Sequence, residues 1–547
     1  MPRLFSRATL FAALASTACS APPPRPPTLP PSLPPSVAPS ASHSTPCASL
    51  TALALPGVTV SSATLDGSGV VTSSLGRTPV PPFCRVQAIA RPTADSEIHI
   101  ELWLPAEASW NGKLDGTGNS GFKGDLSYGA MAKALASGFA TGGHDTGHTG
   151  EDLRFGFGHP EKVVDYGYRA VHLMTTTLKA VARAHYGRAE SHAYFTSCSA
   201  GGQQALSEVQ RYPDDYDGVV AGAPSNNRVA QTFGLLWSWL ALHDAKGAPL
   251  VTPAQLHKVT EATLEACDAI DGLADGLIDD PRRCTFDPAA LACAKGVSSP
   301  DCLGAQQVEA IRKVHAGLKS PRTGEPIFAG YPKGGEALQA DGVPGWLRYL
   351  LGPKEPARVG ILRYFVFRDP SWDYHSVDWD RDYATARREA SALDATETNL
   401  APFASRGGKL ILQSGWADAV IPPEDTIAYY DAVTTAMGGA DKTRAFARLF
   451  MTPGSPHCGL GGTGPDNIDA LAAIDQWVTT GNAPERVIAV TNPTDPSDPP
   501  RAPRSRPLCP YPQVARYRGA GSIDDAASFV CQAPERGASA VISGTQK

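Results

Sequence analysis

The 547-residue sequence has no cluster of basic residues, no apolar run long enough to cross a bilayer, and no Cys-x-x-Cys pair. Its 48 lysines and arginines are spread along the chain and its formal net charge is −6, which argues against nucleic-acid binding. Without paired Cys-x-x-Cys spacing there is no case for a zinc–thiolate site. The length allows a large hydrophobic core and about two to four domains.

The N-terminus has the pattern of a secretory signal, which we predict over residues 1–19. Two arginines precede an apolar run over 8–18 that is too short to span a membrane. The small residues before Cys19 allow either signal cleavage or lipid attachment at that cysteine, although Ser16 stands where lipoprotein signals usually carry Leu. Residues 20–46 are rich in proline and serine and predict an extended linker. We therefore expect an exported protein, either secreted or periplasmic, or anchored to the cell envelope by lipid.

The cysteines predict a disulfide framework. Eleven are present, and removing Cys19 with the signal leaves an even number, which favours disulfides in an exported chain. Two of them have unusual neighbours, because Cys198 precedes Ser199 and Cys458 follows His457. A bridge between these two would hold the serine near the histidine, since bridged Cα atoms lie about 4.4 to 6.8 Å apart. Proximity in the sequence predicts the other pairs: Cys47–Cys84, Cys267–Cys284, Cys293–Cys302 and Cys509–Cys531.

The stretch TSCSAGG, residues 196–202, predicts a nucleophile elbow. A short apolar strand precedes Ser199, and a helix rich in Ala, Gln and Leu follows it. Strand, sharp turn and helix form the context in which an α/β-hydrolase presents its catalytic serine. Ser197 takes the place of the first glycine of the usual motif. The alternative is a turn of small residues that only brings the strand close to the helix.

Two later strands supply candidates for the partners of the serine. The strand 409–413 leads into a loop that carries Asp418, and the strand FARLFMT ends shortly before His457. The order serine, aspartate, histidine is the order expected of an α/β-hydrolase triad. Asp418 precedes a proline-containing turn and could be only a cap. Glu424 and Asp425 are the competing carboxylates.

A glycine-rich loop, WNGKLDGTGNSGFKGDLSY, follows the apolar strand IHIELWLP. Because glycine lets backbone N–H groups point into a pocket, we expect this loop to form half of an oxyanion hole. The N–H of Ala200 is the other expected donor. An ordinary hairpin turn is the alternative. The candidate donors in the loop are Gly118, Asn119, Ser120 and Gly121.

The stretch GGHDTGHTGED places His144 and His148 four residues apart, with Asp145 and Glu151 nearby. This spacing resembles a metal-binding pair on a helix, and a metallohydrolase is a hypothesis that it raises. Gly147 disfavours the helix that would put both rings on one face. We therefore expect a polar loop near the mouth of the active site.

The distance between the elbow and the acid predicts an insertion. Far more residues separate Ser199 from Asp418 than one β–α connection requires, and we expect a lid domain over residues 226–394. The flanking segments 47–225 and 395–547 then form the catalytic domain. The predicted fold class is an α/β-hydrolase core with a large inserted lid, cross-linked by disulfides.

Within the predicted lid, the stretch CDAIDGLADGLIDDPRRC suggests a calcium site. It spaces Asp268, Asp271 and Asp275 through glycines and is closed by two cysteines. Carboxylates on a turning backbone suit Ca²⁺, and the carbonyls of Leu273 and Leu277 would complete the ligands. The alternative is a solvated acidic turn.

Three of these motifs together resemble the tannase and feruloyl esterase family. They are the C-S-x-G-G elbow at 198–202, the G-W-A-D loop at 415–418 and the pair His457–Cys458. The resemblance implies an α/β-hydrolase that cleaves esters with Ser199, Asp418 and His457. It also implies a bridge from Cys198 to Cys458, and calcium in the acidic loop.

The same resemblance implies a substrate with a planar aromatic acyl group. We expect a feruloyl-type phenolic ester first, a galloyl ester second and a terephthalate monoester third. Aromatic side chains of the lid could clamp the ring or form the lid's own core. A non-catalytic surface lipoprotein that binds phenolics or glycans is the alternative of another class. The candidate pocket residues are Ile421, Phe365, Phe367, Trp372 and Tyr374, with Arg363 or Arg368 for a free carboxylate.

Overall fold

The computed structural model describes residues 44–73, 76–297, 299–340, 343–459, 461–491 and 503–534. The predicted signal peptide, Cys19 and nearly all of the predicted linker lie outside these ranges. Within them, no helix combines the length and the apolar character that crossing a membrane requires.

A nine-stranded mixed sheet forms the centre of the protein, in the spatial order β1-β2-β3-β5-β4-β6-β7-β8-β9. The pairs from β1 to β3 and the pair β3–β5 are antiparallel, and all the pairs from β5 onward are parallel. The strands are β1 (Val58–Asp66), β2 (Phe83–Ala90), β3 (Ile98–Pro105), β4 (Lys113–Gly116), β5 (Ala140–His144), β6 (His192–Cys198), β7 (Gly218–Gly222), β8 (Lys409–Gly415) and β9 (Ala447–Thr452).

Helices cover both faces of the sheet and fill the long connection between β7 and β8. They are α1 (Tyr128–Ala136), α2 (Pro160–Val164), α3 (Ala170–Tyr186), α4 (Ala200–Arg211), α5 (Arg228–Leu242), α6 (Pro253–Cys267), α7 (Ala305–Ala316), α8 (Arg381–Glu389), α9 (Ala401–Ser405), α10 (Pro423–Ala436), α11 (Ala440–Arg444) and α12 (Ala470–Thr480). Wider π turns span Asp165–Arg169, Leu347–Leu351 and Ile361–Val366.

Short elements complete the described fold. Two-stranded ribbons pair Val70–Ser73 with Gly76–Pro79, Leu318–Lys319 with Pro326–Phe328, Gln339–Ala340 with Val343–Pro344, Val487–Val490 with Ser505–Leu508, and Val514–Tyr517 with Phe529–Gln532. Single 3₁₀ turns occur at Cys47–Ala52, Glu107–Ser109, Leu153–Gly156, Asp268–Asp271, Pro281–Arg283, Pro288–Leu291, Tyr374–Ser376, Ser391–Leu393, His457–Gly459 and Ala526–Ser528.

The central parallel strands are buried on both faces because side chains alternate along a strand. In β6, Phe195 packs in the same apolar cluster as residues of α3 and α4, whereas its neighbour Tyr194 packs with α12 on the other face. In β7, Val219 and Val220 divide in the same way. Because β6, β7, β8 and β9 are parallel, the carboxyl ends of β6, β8 and β9 meet at one edge of the sheet, where the candidate catalytic residues follow.

The segment between β7 and β8 forms an apolar cluster of its own. Four of its helices pack together, and most of the members of this cluster lie between Val229 and Leu393. Gly234 in α5 lets the ring of Phe328 approach, since a Cβ there would lie 2.3 Å from that ring. The α/β-hydrolase core with a large insertion, predicted from the sequence, is confirmed. The exact lid boundaries, 226–394, stay a prediction.

Five disulfides cross-link the fold. Each joins one of the pairs expected from the sequence: Cys47–Cys84, Cys198–Cys458, Cys267–Cys284, Cys293–Cys302 and Cys509–Cys531. Four of them join residues fewer than forty positions apart. The bridge from Cys198 to Cys458 spans 260 positions and connects the end of β6 with the loop after β9.

Candidate active site

Ser199 stands at the sharp turn between β6 and α4. Its φ of 65° lies in the left-handed region that a non-glycine residue rarely adopts. The turn is held from both sides, because the Ser199 N–H donates to the Gly222 carbonyl at 2.9 Å and the Ser199 carbonyl accepts from the Ser225 N–H at 3.1 Å. This strained strand–turn–helix geometry is that of a nucleophile elbow.

The small residues around Ser199 have a steric reason. A Cβ on Gly201 would lie 1.9 Å from Ser197 Oγ, and a Cβ on Gly202 would lie 2.4 Å from the carbonyl oxygen of Gly222. On the neighbouring loop, a Cβ on Gly118 would lie 2.7 Å from the Cα of Gly201. Glycine is therefore required where the elbow, β7 and the glycine loop approach one another. Ser197, in place of the usual glycine, is accommodated because Gly201 opposite it has no side chain.

Asp418 and His457 form a buried hydrogen-bonded pair. The His457 Nδ1–H donates to Asp418 Oδ2 at 2.8 Å, and Asp418 is fully buried. The other carboxylate oxygen, Oδ1, accepts the N–H groups of Val420 at 2.8 Å and Ile421 at 2.9 Å. These bonds fix the orientation of the carboxylate and, through it, the tautomer of the imidazole.

The competing carboxylates lie elsewhere. Glu424 and Asp425 belong to the first turn of α10, and burial raises the pKa of each to about 7. The Asp425 carboxyl accepts a backbone N–H of the insertion, from Ala329, at 3.4 Å. His457 therefore donates its hydrogen bond to Asp418 and to neither of the competing acids.

The disulfide between Cys198 and Cys458 brings the serine and the histidine together. Its Cα atoms are 6.0 Å apart, and the two cysteines are the direct neighbours of Ser199 and His457. Cys458 itself has a φ of 59°, so the chain turns sharply immediately after the histidine. The three side chains expected to act together therefore lie at one edge of the sheet.

Asn119 in the glycine loop makes a different set of contacts from those expected. Its N–H donates to Gln204 Oε1 at 3.1 Å, which corrects the expectation that this N–H is free to hold an oxyanion. The Asn119 amide donates to the carbonyls of Asp125 and His144, both at 2.8 Å, and Gln204 Nε2 donates back to Asn119 Oδ1. Asn119 thus attaches the glycine loop to α4. The other candidate donors are its neighbours in the loop, Gly118, Ser120 and Gly121, and the N–H of Ala200 at the start of α4.

The two histidines of GGHDTGHTGED do not form a joint metal site. The Nε2 of His148 lies 2.8 Å from the Phe122 carbonyl oxygen, and its Nδ1 lies 2.9 Å from Thr146 Oγ1. Both ring nitrogens of His148 are therefore occupied. His144 is fully buried, and burial lowers its pKa to about 3. These residues form a buried polar loop against the glycine loop, and the contacts of His148 argue against a metal shared by the two histidines.

The acidic loop gathers more carboxyl groups than the sequence analysis selected. Asp268 accepts the N–H groups of Asp275, Gly276 and Leu277 at 3.0 to 3.2 Å. Arg506 donates to Asp275 at 2.5 Å. Leu273 and Leu277 lie on the same turn, where their N–H groups are bound by Asp271 and by Asp275.

Asp279 is a buried carboxyl of the same loop that the sequence analysis missed. Burial raises its pKa well above the usual range, and the charge of Asp271 raises it further. Burial also raises the pKa of Asp271. Two carboxyls in such contact retain a proton unless a cation neutralises them, so the donors present fit a hard cation such as Ca²⁺. The run DD at 279–280 was the available signal.

The apolar side chains expected to contact substrate are divided between two places. Ile421 and Phe365 are buried, the first beside Asp418 and the second against Phe155 with ring centroids 5.4 Å apart. Phe367 and Trp372 stack on each other at 4.8 Å, as parts of the lid's own packing.

The arginines expected for a free carboxylate are already paired. Arg363 donates to Glu355 at 2.8 Å and to the Trp372 carbonyl at 3.2 Å, and Arg368 pairs with Glu389 at 3.2 Å. The expectation that Arg363 is free to recognise a substrate is therefore corrected.

A different arginine is buried without a partner. Arg228 begins α5, is fully buried, and none of its guanidinium nitrogens has a hydrogen-bond partner among the described residues. The Arg228 guanidinium lies 4.8 Å from the ring of Phe122, the residue that follows Gly121 in the glycine loop. The guanidinium of Arg358 lies 5.3 Å from the same ring. The signal in the sequence was a single charged residue at the start of the otherwise uncharged helix RVAQTFGLLWSWLAL.

Comparison with known proteins identifies the family of this chain. The model of the family "Tannase and feruloyl esterase" matches residues 84–532. An "uncharacterized esterase" of Xanthomonas campestris is 39% identical over 91% of this chain and 93% of its own, and a mono(2-hydroxyethyl) terephthalate hydrolase of Piscinibacter sakaiensis is 36% identical over 83% and 85%. The crystal structure of feruloyl esterase B from Aspergillus oryzae superposes with a TM-score of 0.79 at 29% identity, covering 89% of this chain and 99% of its own. The chain therefore belongs to the tannase and feruloyl esterase family of carboxylic ester hydrolases.

Proposed function

We propose that the protein hydrolyses esters of aromatic acids through a catalytic triad of Ser199, His457 and Asp418. The observation that carries the proposal is the hydrogen bond from His457 Nδ1 to the buried Asp418, next to a strained serine that a disulfide holds near the histidine. This combination gives the serine a base and the base an orienting carboxylate.

In the proposed reaction, His457 Nε2 takes the proton of Ser199 Oγ as the oxygen attacks the ester carbonyl. The tetrahedral intermediate then collapses, and His457 returns the proton to the leaving alcohol. Water attacks the acyl-enzyme by the same route and releases the acid. The Ala200 N–H and the N–H groups of Gly118, Ser120 and Gly121 are the candidate donors to the oxyanion, and Asn119 positions their loop.

A feruloyl-type phenolic ester is the substrate that we place first. Support comes from the aromatic side chains beside the glycine loop, where Phe122 stacks on Tyr166 at 4.6 Å and Phe155 stacks on His148 at 3.8 Å. The inserted segment contributes Phe365 to this group and contacts the acid loop, since Gln231 donates to the Val420 carbonyl at 3.1 Å. We infer that the insertion serves as a lid over an aromatic acyl group. A galloyl ester is the next candidate for the same pocket.

Arg228 favours the third candidate, an aromatic ester whose acyl part carries a free carboxylate. Burial lowers the pKa of Arg228 to about 10, so the guanidinium is still cationic at neutral pH. A buried and unpaired charge is unfavourable unless an anion neutralises it. A terephthalate monoester would supply that anion beside the ring of Phe122, and a relative with 36% identity is named a mono(2-hydroxyethyl) terephthalate hydrolase.

We further propose a structural Ca²⁺ in the acidic loop, held by Asp268, Asp271 and Asp275 with the carbonyls of Leu273 and Leu277. The close buried carboxyls of Asp271 and Asp279 support it. The disulfides support export, to the cell exterior or the periplasm, with or without a lipid on Cys19.

Replacing the nucleophile tests the triad. We expect Ser199→Ala to lower kcat by about 10⁴-fold or more on methyl ferulate, methyl gallate or mono(2-hydroxyethyl) terephthalate, whichever the enzyme hydrolyses, with an unchanged melting temperature. A fluorophosphonate probe should label the parent enzyme and spare the variant. Ser191→Ala, at a serine that binds only the Gly112 carbonyl, is the matched control. Near-normal turnover by Ser199→Ala would contradict the assignment, and an unlabelled parent that turns over none of the esters would favour a binding protein.

Removing the disulfide between Cys198 and Cys458 tests whether it positions the catalytic residues. The double variant Cys198→Ala and Cys458→Ala should lose at least tenfold in kcat and about 2 to 5 kcal/mol in unfolding free energy. The double variant Cys293→Ala and Cys302→Ala, which removes a bridge inside the insertion, should keep its kcat. If the two double variants had equal activity, the bridge would have no role in positioning the catalytic residues.

Chelation tests the calcium proposal. EGTA should lower the melting temperature of the parent protein by several degrees, and added Ca²⁺ should restore it, because an ion bound only by the folded state stabilises it. Asp271→Asn should lose this response, whereas Asp301→Asn, which removes an exposed acid paired with Lys258, should keep it. A melting temperature indifferent to EGTA and Ca²⁺ would show that the loop is an acidic turn without a metal.

Replacing Arg228 distinguishes the terephthalate monoester from the feruloyl ester as substrate. Arg228→Met should raise KM for mono(2-hydroxyethyl) terephthalate about 10- to 100-fold, by the loss of charged hydrogen bonds, and change KM for methyl ferulate little. Arg363→Met removes a lid arginine that is already paired with Glu355 and serves as the control. Equal effects of Arg228→Met on both esters would mean that the residue only supports the fold.

A further inference from the structure

Three ligand-forming side chains converge on the far side of the nucleophile helix. His172 on α3, Glu208 near the end of α4 and Asp215 in the turn before β7 each place one ligand atom so that all three atoms lie within 4.8 Å of one another. The closest pair is His172 Nδ1 and Asp215 Oδ2, at 2.6 Å. The ring of Tyr212 stacks on His172 at 3.8 Å and fixes its plane.

Glu208 has no donor to satisfy it. The residue is 1% exposed, and neither of its carboxyl oxygens has a hydrogen-bond partner within the described part of the chain. Burial raises the pKa of Glu208 well above the usual range, and the adjacent Asp215 raises it further, through its charge and through a carboxyl–carboxyl contact in which the two groups can share a proton. The Lys179 ammonium is directed instead to the Asp214 carbonyl, at 3.4 Å. A buried carboxylate beside a second carboxylate needs either a proton or a cation.

We propose that His172, Glu208 and Asp215 bind a divalent transition-metal ion of the Zn²⁺ class. One imidazole nitrogen and two carboxylate oxygens are donors that such ions prefer. Donors around tetrahedral Zn²⁺ lie about 3.4 Å apart, so the close His172–Asp215 pair would open slightly as Glu208 approaches the ion. The side chains of His172 and Asp215 are 27% and 11% exposed, which gives the ion a route in and a water molecule as fourth ligand.

The position of this cluster gives the ion a structural role. Glu208 lies nine residues after Ser199 on α4, which is about 13 Å along a helix. The ion would join α3, the end of the nucleophile helix and the turn that leads into β7. It is also separate from the acidic loop of the insertion, because His172 and Glu208 lie on helices of the core and Asp215 lies in the turn that leads into β7.

Metal titration of the intact protein tests the proposal. The protein is dialysed against dipicolinate, returned to buffer with millimolar Ca²⁺ to fill the acidic loop, and titrated with Zn²⁺ in a calorimeter. We expect one saturable site whose occupancy raises the melting temperature, and Co²⁺ in its place should give visible absorption bands. Glu208→Gln and His172→Gln should each weaken Zn²⁺ binding at least tenfold and remove the thermal shift.

Asp214→Asn is the matched control, because it removes an exposed carboxylate one position from Asp215 and should leave binding unchanged. Asp271→Asn should also leave it unchanged, which separates this site from the calcium loop. If the parent protein bound no Zn²⁺, or if Glu208→Gln bound it equally well, the proposal would be overturned and Glu208 would share a proton with Asp215. Ser199-dependent ester hydrolysis would stand in either case.

Discussion

The bridge between Cys198 and Cys458 joins two segments that the sheet by itself would keep apart. The strands that lead to them, β6 and β9, are separated by β7 and β8, which amounts to about 14 Å at the usual spacing of strands. The bridged Cα atoms are nevertheless 6.0 Å apart, so the loop after β9 folds back across two strand ends. Ser199 and His457 depend on this return, because each is bonded directly to one of the cysteines.

The buried carboxyl groups in and around the candidate active site differ in the hydrogen-bond donors that surround them. Asp418 is fully buried but accepts hydrogen bonds from two backbone N–H groups and from His457. Glu424 and Asp425, only a few residues later, have few such donors, and burial raises their pKa to about 7. The role of each acid thus follows from the donors around it rather than from its distance along the chain. Glu208 is the extreme case, since among the described residues no N–H group donates to its carboxylate oxygens.

The insertion between β7 and β8 is the source that we propose for substrate selectivity. It has its own apolar cluster, which keeps it ordered, and it meets the core at the glycine loop and the acid loop. At the first of these contacts it brings Arg228 and Arg358 against Phe122. A pocket that combines aromatic rings with an unpaired cation would distinguish esters by the charge of the acyl group, which the triad alone could not do.

Local patterns in the sequence determined the elbow, the order of the candidate triad, the cysteine pairs and the α/β core. Most of these depend on nearest neighbours or on strand and turn periodicity, which a single chain displays, and the distant pair Cys198–Cys458 follows once the other cysteines are paired with near neighbours. The tertiary structure decided what depends on distant partners: Gln204 engages the N–H of Asn119, and Glu355 pairs with Arg363. It also left the Arg228 guanidinium without a hydrogen-bond partner among the described residues and brought His172 to Glu208. Whether a polar group is satisfied depends on residues that folding brings near it, and no local pattern encodes that.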